Sequence, residues 1–160
     1  MVEKIPMTAA GFKGLEDELN QLKNVERLKI SREIGVAREH GDLRENAEYH
    51  AAKEKQGMIE ARIAELEDHI ARADVIDPKN NVGPTVKFGA HVTLEDSDSG
   101  ETKKYRIVGP DEADLKKGTI SATSPVARAL NKSREGDVVT LRTPGGVEEL
   151  EILEVRYVAL

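Results

Sequence analysis

The chain has 160 residues and a mass of 17.6 kDa, which allows one compact domain or two small ones and excludes a large multidomain enzyme. It has 34% charged residues, five aromatics (Phe12, Tyr49, Phe88, Tyr105 and Tyr157) and no cysteine; this excludes disulfide scaffolds, thiolate zinc sites and cysteine nucleophiles, and suits long helices striped with Leu, Ile and Ala. The net charge of −6 argues against unaided, non-specific binding to nucleic acid.

No apolar run reaches membrane-spanning length and no basic-then-apolar signal segment opens the chain, so a cytoplasmic protein that uses no membrane is expected. Charge is uneven. Residues 1–77 hold 12 Lys+Arg and 17 Asp+Glu, whereas residues 78–160 hold 12 and 13. Between the halves, Asp77-Pro78-Lys79-Asn80-Asn81-Val82-Gly83-Pro84 is rich in breakers and reads as a linker. The expected organisation is an all-α domain over residues 1–77, a linker over 78–84 and a globular domain over 85–160.

Pro6-Met7-Thr8 reads as a helix entry with Thr8 as N-cap. Phe12, Leu15, Leu19 and Leu22 follow at helical spacing, and the stripe resumes at Ile30, Ile34 and Ala37. Between them Glu26 and Lys29 occupy stripe positions, which reads as a stutter and not a helix end. A second seam runs through Tyr49, Ala52, Gln56, Ile59, Ile63, Leu66, Ile70 and Ala73, alternating spacings of three and four. Two seams joined by the break at Gly41 predict an antiparallel coiled-coil hairpin. About 33 residues from Thr8 to His40 make an arm of roughly 50 Å, too slender to enclose a substrate pocket, so no small-molecule substrate is expected.

The hairpin tip is Arg38-Glu39-His40-Gly41-Asp42-Leu43-Arg44-Glu45-Asn46-Ala47-Glu48-Tyr49. Asp42 and Glu45, three residues apart, point the same way at the start of the second helix. They can be first-turn acids that offset the macrodipole, with Asp42 as cap. They can equally be an exposed carboxylate pair for Mg²⁺, an ion that takes oxygen ligands and would need further ones from a partner. Arg38, Arg44, Lys53 and Lys55 flank the tip, either as ordinary helix ion pairs with Glu39, Glu48 and Glu54 or as a small phosphate-contacting patch. His40 and His50 lack zinc-ligand spacing and read as surface residues.

In the second half, His91 to Leu94 alternates, Asp96 to Gly100 turns and Thr102 to Val108 returns, which is a hairpin. Gly100 stands at the fifth position of Asp96-x-Asp98, where a calcium loop needs an oxygen ligand. Ser124-Pro125 opens a short helix to Leu130. Val138 to Arg142 and Leu150 to Val158 are strands about Pro144-Gly145-Gly146, and the spacing of Leu150, Ile152 and Val155 predicts a bulge. The class is a small α+β domain.

The run from Ala37 to Glu54 resembles the signature tip of the GreA/GreB family of bacterial transcript cleavage factors. Tyr105-Arg106-Ile107-Val108-Gly109, Ser124-Pro125-Val126-Ala127-Arg128-Ala129-Leu130 and Thr143-Pro144-Gly145-Gly146 resemble the same family in the same order. The resemblance implies an FKBP-like C-terminal fold that docks on RNA polymerase and a coiled coil that enters the polymerase's secondary channel. It further implies cleavage of backtracked nascent RNA by the polymerase itself, with no independent enzyme activity. It matches Asp42 and Glu45 to the acids that share an Mg²⁺ with the polymerase, no cofactor being bound by the chain alone. It matches Arg38 and Lys53 to a basic patch for the RNA 3′ segment, and Leu43, Asn46 and Tyr49 to tip-shaping positions. Thr123, Ser124 and Pro125 match the docking loop, Thr123 standing where relatives often carry Asn or Asp. The proline common near Val25 to Ile30 in this family is not present here.

Overall fold

The structure is a computed structural model that describes residues 3–41, 46–77 and 83–157. It separates into two compact units, one from Phe12–Arg72 and one from the described parts of Met1–Gly11 and Ala73–Leu160.

The helical unit is built from α1 (Ala9–Gln21) from Phe12 onward, a five-residue π-helical segment (Leu22–Glu26), α2 (Arg27–Arg38) and α3 (Ala47–Ala71). The π segment is the structural form of the stutter. Leu22 to Ile30 spans one residue more than a heptad, and a π turn absorbs one extra residue without ending the helix. Its signature is the Arg27 N–H donating to the Leu22 carbonyl, five residues back. The stripe is thereby re-aimed: Ile30, Ile34 and Ala37 are buried while Lys29 and Val36 are exposed.

Across from it, α3 buries Ala52, Ile59, Ile63 and Leu66, all on the expected seam. Ile30, Ile34, Ala52, Ile59 and Ile63 form one apolar cluster, with Leu19, Leu22 and Tyr49 packed against it. The arms are joined by ion pairs of Glu18 with Arg62, Lys23 with Glu67 and Arg27 with Glu60. The Arg27–Glu60 and Arg62–Glu18 contacts are bidentate, at 2.8 and 2.8 Å and at 2.6 and 2.9 Å. Each arginine holds its partner's carboxyl below the ordinary glutamate range, mainly through the hydrogen bonds.

The sheet unit holds two sheets. In the smaller, β1 (Ile5–Met7) pairs in parallel with β2 (Ala73–Val75). The larger has five strands in the order β5-β4-β3-β7-β6. These are β3 (His91–Asp96), β4 (Thr102–Val108), β5 (Thr119–Ser121), β6 (Val138–Thr143) and β7 (Gly146–Arg156). A short 3₁₀ turn (Leu115–Lys117) leads into β5, and α4 (Pro125–Leu130) packs Ala127 and Leu130 into the core. Val92, Leu94, Ile107, Ile120, Leu141, Leu150, Ile152 and Val155 fill one face of the sheet. The bulge lies opposite Thr93/Leu94, where Thr93 pairs with Glu154 and Leu94 with Ile152. Leu153 is thereby left over, and both Ile152 and Val155 turn inward.

Packing departs from the linear division at 1–77, 78–84 and 85–160. Residues 3–11 and 73–77 belong to the sheet unit, because β1 and β2 hydrogen-bond each other and Thr8 is held by Glu112. The Thr8 amide donates to Glu112 Oε2 at 2.8 Å and its hydroxyl to Oε1, while Gly109 N–H adds a third bond at 3.1 Å. Thr8 still caps α1, accepting from Gly11 N–H at 3.0 Å. Ala73, the last expected seam position, stands in β2 instead of the helix, which ends at Ala71. Gly83 and Pro84, assigned to the linker, are described, and Pro84 accepts from Glu135 N–H at 3.0 Å. The rest of the linker, 78–82, lies outside the described residues.

Candidate functional site

The two ends of the hairpin meet through Asn46. α2 finishes in a short turn in which Glu39 and His40 N–H groups donate to the Val36 and Ala37 carbonyls at 3.1 and 3.2 Å. Gly41 follows at φ +115°, a conformation that a side chain disfavours. On the other side Asn46 caps α3: its Oδ1 accepts from Tyr49 N–H at 3.1 Å. Its Nδ2 donates to the Ala37 carbonyl of α2 at 2.5 Å. One side chain therefore satisfies an orphan donor of α3 and adds a second hydrogen bond to the Ala37 carbonyl, which already accepts from His40 N–H. The cap expected from Asp42 is made by Asn46, and α3 starts at Ala47. Asp42, Leu43 and Glu45 lie outside the described residues, in the four-residue segment between these anchors.

Tyr49 is half-buried against the helical core. Its outer face is covered by the Arg38 guanidinium, 5.9 Å from the ring centroid, and His50 meets it edge-on at 5.5 Å. Lys53, one helical turn beyond Tyr49, donates to Gln56 Oε1 at 3.1 Å. Among the described residues, Arg38 contacts the Tyr49 ring and Lys53 contacts Gln56, and no ion pair joins either to Glu39, Glu48 or Glu54. Farther down, Val36, Ala37, Ala51 and Ala52 line an open groove of about 610 Å³ together with Lys29, Arg32 and Lys55 and the acids Glu33 and Glu48.

Thr123, Ser124 and Pro125 are held by a different kind of framework. Ser124 caps α4, accepting from Ala127 N–H at 3.2 Å, and Pro125 takes the first helical position. Ser121 accepts from Thr123 N–H at 3.1 Å and its hydroxyl lies 2.7 Å from that of Thr123. Thr123 and Pro125 are exposed, whereas Ala127 and Leu130 just behind them are buried. Ser121 was not among the expected site residues. Its signal is the Ser-x-Thr-Ser-Pro spacing, which favours hydroxyl-supported turns.

Among the described residues no group of three or more His, Asp or Glu side chains could hold a metal ion, and no helix is long and apolar enough to cross a membrane. Asp42 and Glu45 offer hard carboxylate oxygens, the donor type that suits Mg²⁺. Two such groups leave most of an octahedral shell to other ligands.

Two family models run through the chain: "Transcription elongation factor, N-terminal" over residues 5–75 and "Transcription elongation factor, GreA/GreB, C-term" over residues 80–157. The matched class is thus that of elongation factors, in both units. The chain belongs to the GreA/GreB family of transcription elongation factors. It is similar to the transcription elongation factor GreA of Phenylobacterium zucineum, at 56% identity over 98% of this chain and 100% of the relative. It is 58% identical to that of Anaeromyxobacter sp., over 98% and 95%. Among solved structures, the GreA factor homolog 1 of Thermus thermophilus is 31% identical over 96% of this chain and 99% of that one, with a TM-score of 0.44.

Proposed function

We propose that this protein binds RNA polymerase, inserts its helical tip into the secondary channel and stimulates the polymerase's own cleavage of backtracked nascent RNA. The reading treats the helical unit as an antiparallel coiled coil and the sheet unit as an FKBP-like module that docks through Thr123, Ser124 and Pro125. The observation that supports it most is the Asn46 bridge. It fixes the ends of α2 and α3 on either side of residues 42–45, so the two acids of the tip motif sit between anchored helix ends. Helix α3 alone is about 40 Å long, which suits reaching into a narrow passage. Identity above half along the full length of relatives named GreA supports the same reading.

Asp42 and Glu45 would share one Mg²⁺ with carboxylates of the polymerase. When bound, that ion supplies activation of water and stabilisation of the leaving oxygen. The chain's own contribution is placement. Asn46 and Tyr49 shape the tip together with Leu43, and Arg38, resting on Tyr49, presents its charge with Lys53 to the phosphates of the RNA 3′ segment. The protein performs no cleavage alone.

The test is transcript cleavage by a stalled, backtracked polymerase. Asp42→Asn and Glu45→Gln are expected to retain polymerase binding and to reduce cleavage to the level of polymerase alone. Full stimulated cleavage by the double variant would overturn the reading, as would RNA cutting by the purified protein without polymerase. Slowed elongation with no short RNA product from the unaltered protein would identify a channel-blocking factor instead.

A further inference from the structure

The face of the five-stranded sheet opposite its core carries a second cluster. Strand register places Thr119, Arg106, His91 and Arg156 in one row across β5, β4, β3 and β7. Lys104, Thr93 and Glu154 form the adjacent row. With Lys117 from the 3₁₀ turn, these side chains line a half-open cavity of about 480 Å³, the size of a small-ligand site. It holds four permanent cations against one carboxylate, Glu154, which is 3.3 Å from Arg156.

Arg106 is the unusual member. Its Nε and Nη2 are buried and have no hydrogen-bond acceptor among the described residues. These two nitrogens form one edge of the guanidinium, the parallel pair of donors that matches two oxygens of a single oxyanion. Buried donors left unpaired are costly, and native structures satisfy nearly all of them. The His91 ring between Arg106 and Arg156 has its pKa lowered, first by burial and then by those two charges. Both causes disfavour the charged imidazolium, so the ring serves better as a hydrogen-bonding group than as a further cation.

We propose that this cavity is a binding site for a small ligand bearing a di- or triphosphate group, with the Arg106 edge gripping one phosphoryl group and Arg156, Lys104 and Lys117 neutralising its neighbours. A single carboxylate or monophosphate would leave much of the positive charge uncompensated, whereas adjacent phosphoryl groups match the clustered cations. Lys104 is exposed, and the several rotatable bonds of a lysine side chain let it turn aside to admit the ligand. Thr119, opposite Arg106 in the ladder, adds a hydroxyl. The site lies within the sheet unit and does not depend on the tip, so it stands whether or not the cleavage reading does.

The test is titration of the full-length ¹⁵N-labelled protein, followed by NMR at constant ionic strength, with pyrophosphate, a nucleoside triphosphate, the matching monophosphate, sulfate and a short single-stranded RNA in parallel. Saturable shifts confined to residues 91–93, 104–106, 117–119 and 154–156 are expected with pyrophosphate, the triphosphate or both. Pyrophosphate and triphosphate arms of equal strength would identify the phosphate chain as the whole epitope, and a stronger triphosphate would add the nucleoside; both support the site. Binding is expected to raise the His91 pKa, read from its ring signals. Arg106→Gln should weaken binding about tenfold, or about 1.4 kcal/mol. Because Arg106 is partly buried, the exposed pair Lys104→Gln with Lys117→Gln provides a second test, with several-fold weakening and an unchanged fold. No saturable shift, equal response to sulfate, undiminished binding by the lysine pair variant, or saturation by RNA alone would each overturn the proposal.

Discussion

Residues 121–125 and residues 41–46 are both short connections, and they are secured in opposite ways. The Ser124 loop leans on α4, whose Ala127 and Leu130 are part of a core shared by five strands. The tip is closed by Asn46 over two helices whose core is a single stripe. α4 thus belongs to a core of several layers, while the helix ends beside the tip rest on a single apolar stripe. A loop rigid in this way suits recognition of a fixed surface. Helix ends joined by one side chain can be altered locally without unfolding the rest, which makes Asn46 the more informative place to mutate.

The largest effect is expected in the sheet core. Ile152 is fully buried, and Ile152→Ala should cost about 2–5 kcal/mol. Urea unfolding followed by near-complete loss of polymerase binding would check this. The equivalent truncation in the helical unit, Ile34→Ala, should cost toward the lower end of that range. A one-stripe core can close partly over the gap, as the two arms are not boxed in by further layers. Equal costs at both positions would erase the distinction drawn between the units.

Asn46 separates cap from bridge. Asn46→Ala should destabilise the helical unit by about 0.5–2 kcal/mol, the usual value of an N-cap. It should lower stimulated cleavage while leaving polymerase affinity intact. Asn46→Asp keeps the oxygen that accepts from Tyr49 N–H and loses the nitrogen that donates to Ala37. If the bridge places the acids, the Asp variant should keep most of the helical stability and still lose cleavage. If the cap is all that matters, the Asp variant should behave like the unaltered protein. Ser124→Ala removes the α4 cap, at about 1 kcal/mol, and should weaken polymerase binding without changing cleavage per bound complex. Ser124→Asp, which can still cap, should restore stability.

The elements legible in the sequence are those whose pattern is local. The α3 seam from Ala52 to Leu66, the stutter at Leu22 to Ile30, the hairpin about Asp96 to Gly100 and the bulge near Ile152 all follow from spacing within one segment. What escaped are pairings between distant segments. Strands β1 and β2 have three residues each and lie 68 residues apart in register, so neither carries a periodicity of its own. Strand β5 is equally short, and the hold of Glu112 on Thr8 spans 104 residues. At the tip, sequence spacing points to Asp42 as the cap of α3, whereas Asn46 makes it. Asp and Asn both serve as caps, and only the position of the first helical turn decides between them. The cationic row on the sheet was invisible for a further reason. His91, Arg106, Thr119 and Arg156 converge only once the register of four strands is fixed.

Acid titration should sharpen the comparison with the smallest effects of all. In the helical unit, Glu18 and Glu60 have folded pKa values lowered by Arg62 and Arg27. A lowered carboxyl pKa contributes stability that is present above the unfolded value, roughly 4.3, and is lost as pH falls through the folded one. These groups are largely exposed, so solvent and salt screen the effect. In the sheet unit, His91 is held below its ordinary value by burial and by Arg106 and Arg156. The unfolded chain therefore takes up that proton first, and stability is lost from about pH 6.5 downward. The sheet unit is expected to weaken in the first window, from about pH 6.5 downward, and the paired arms in the second, near pH 4 and below. Helical circular dichroism and the His91 ring signals, followed together in thermal melts at stepped pH, would separate the two. His91→Gln should abolish the upper window and leave the lower unchanged, and added salt should shrink the lower more than the upper, since the arm pairs face solvent and His91 is partly shielded.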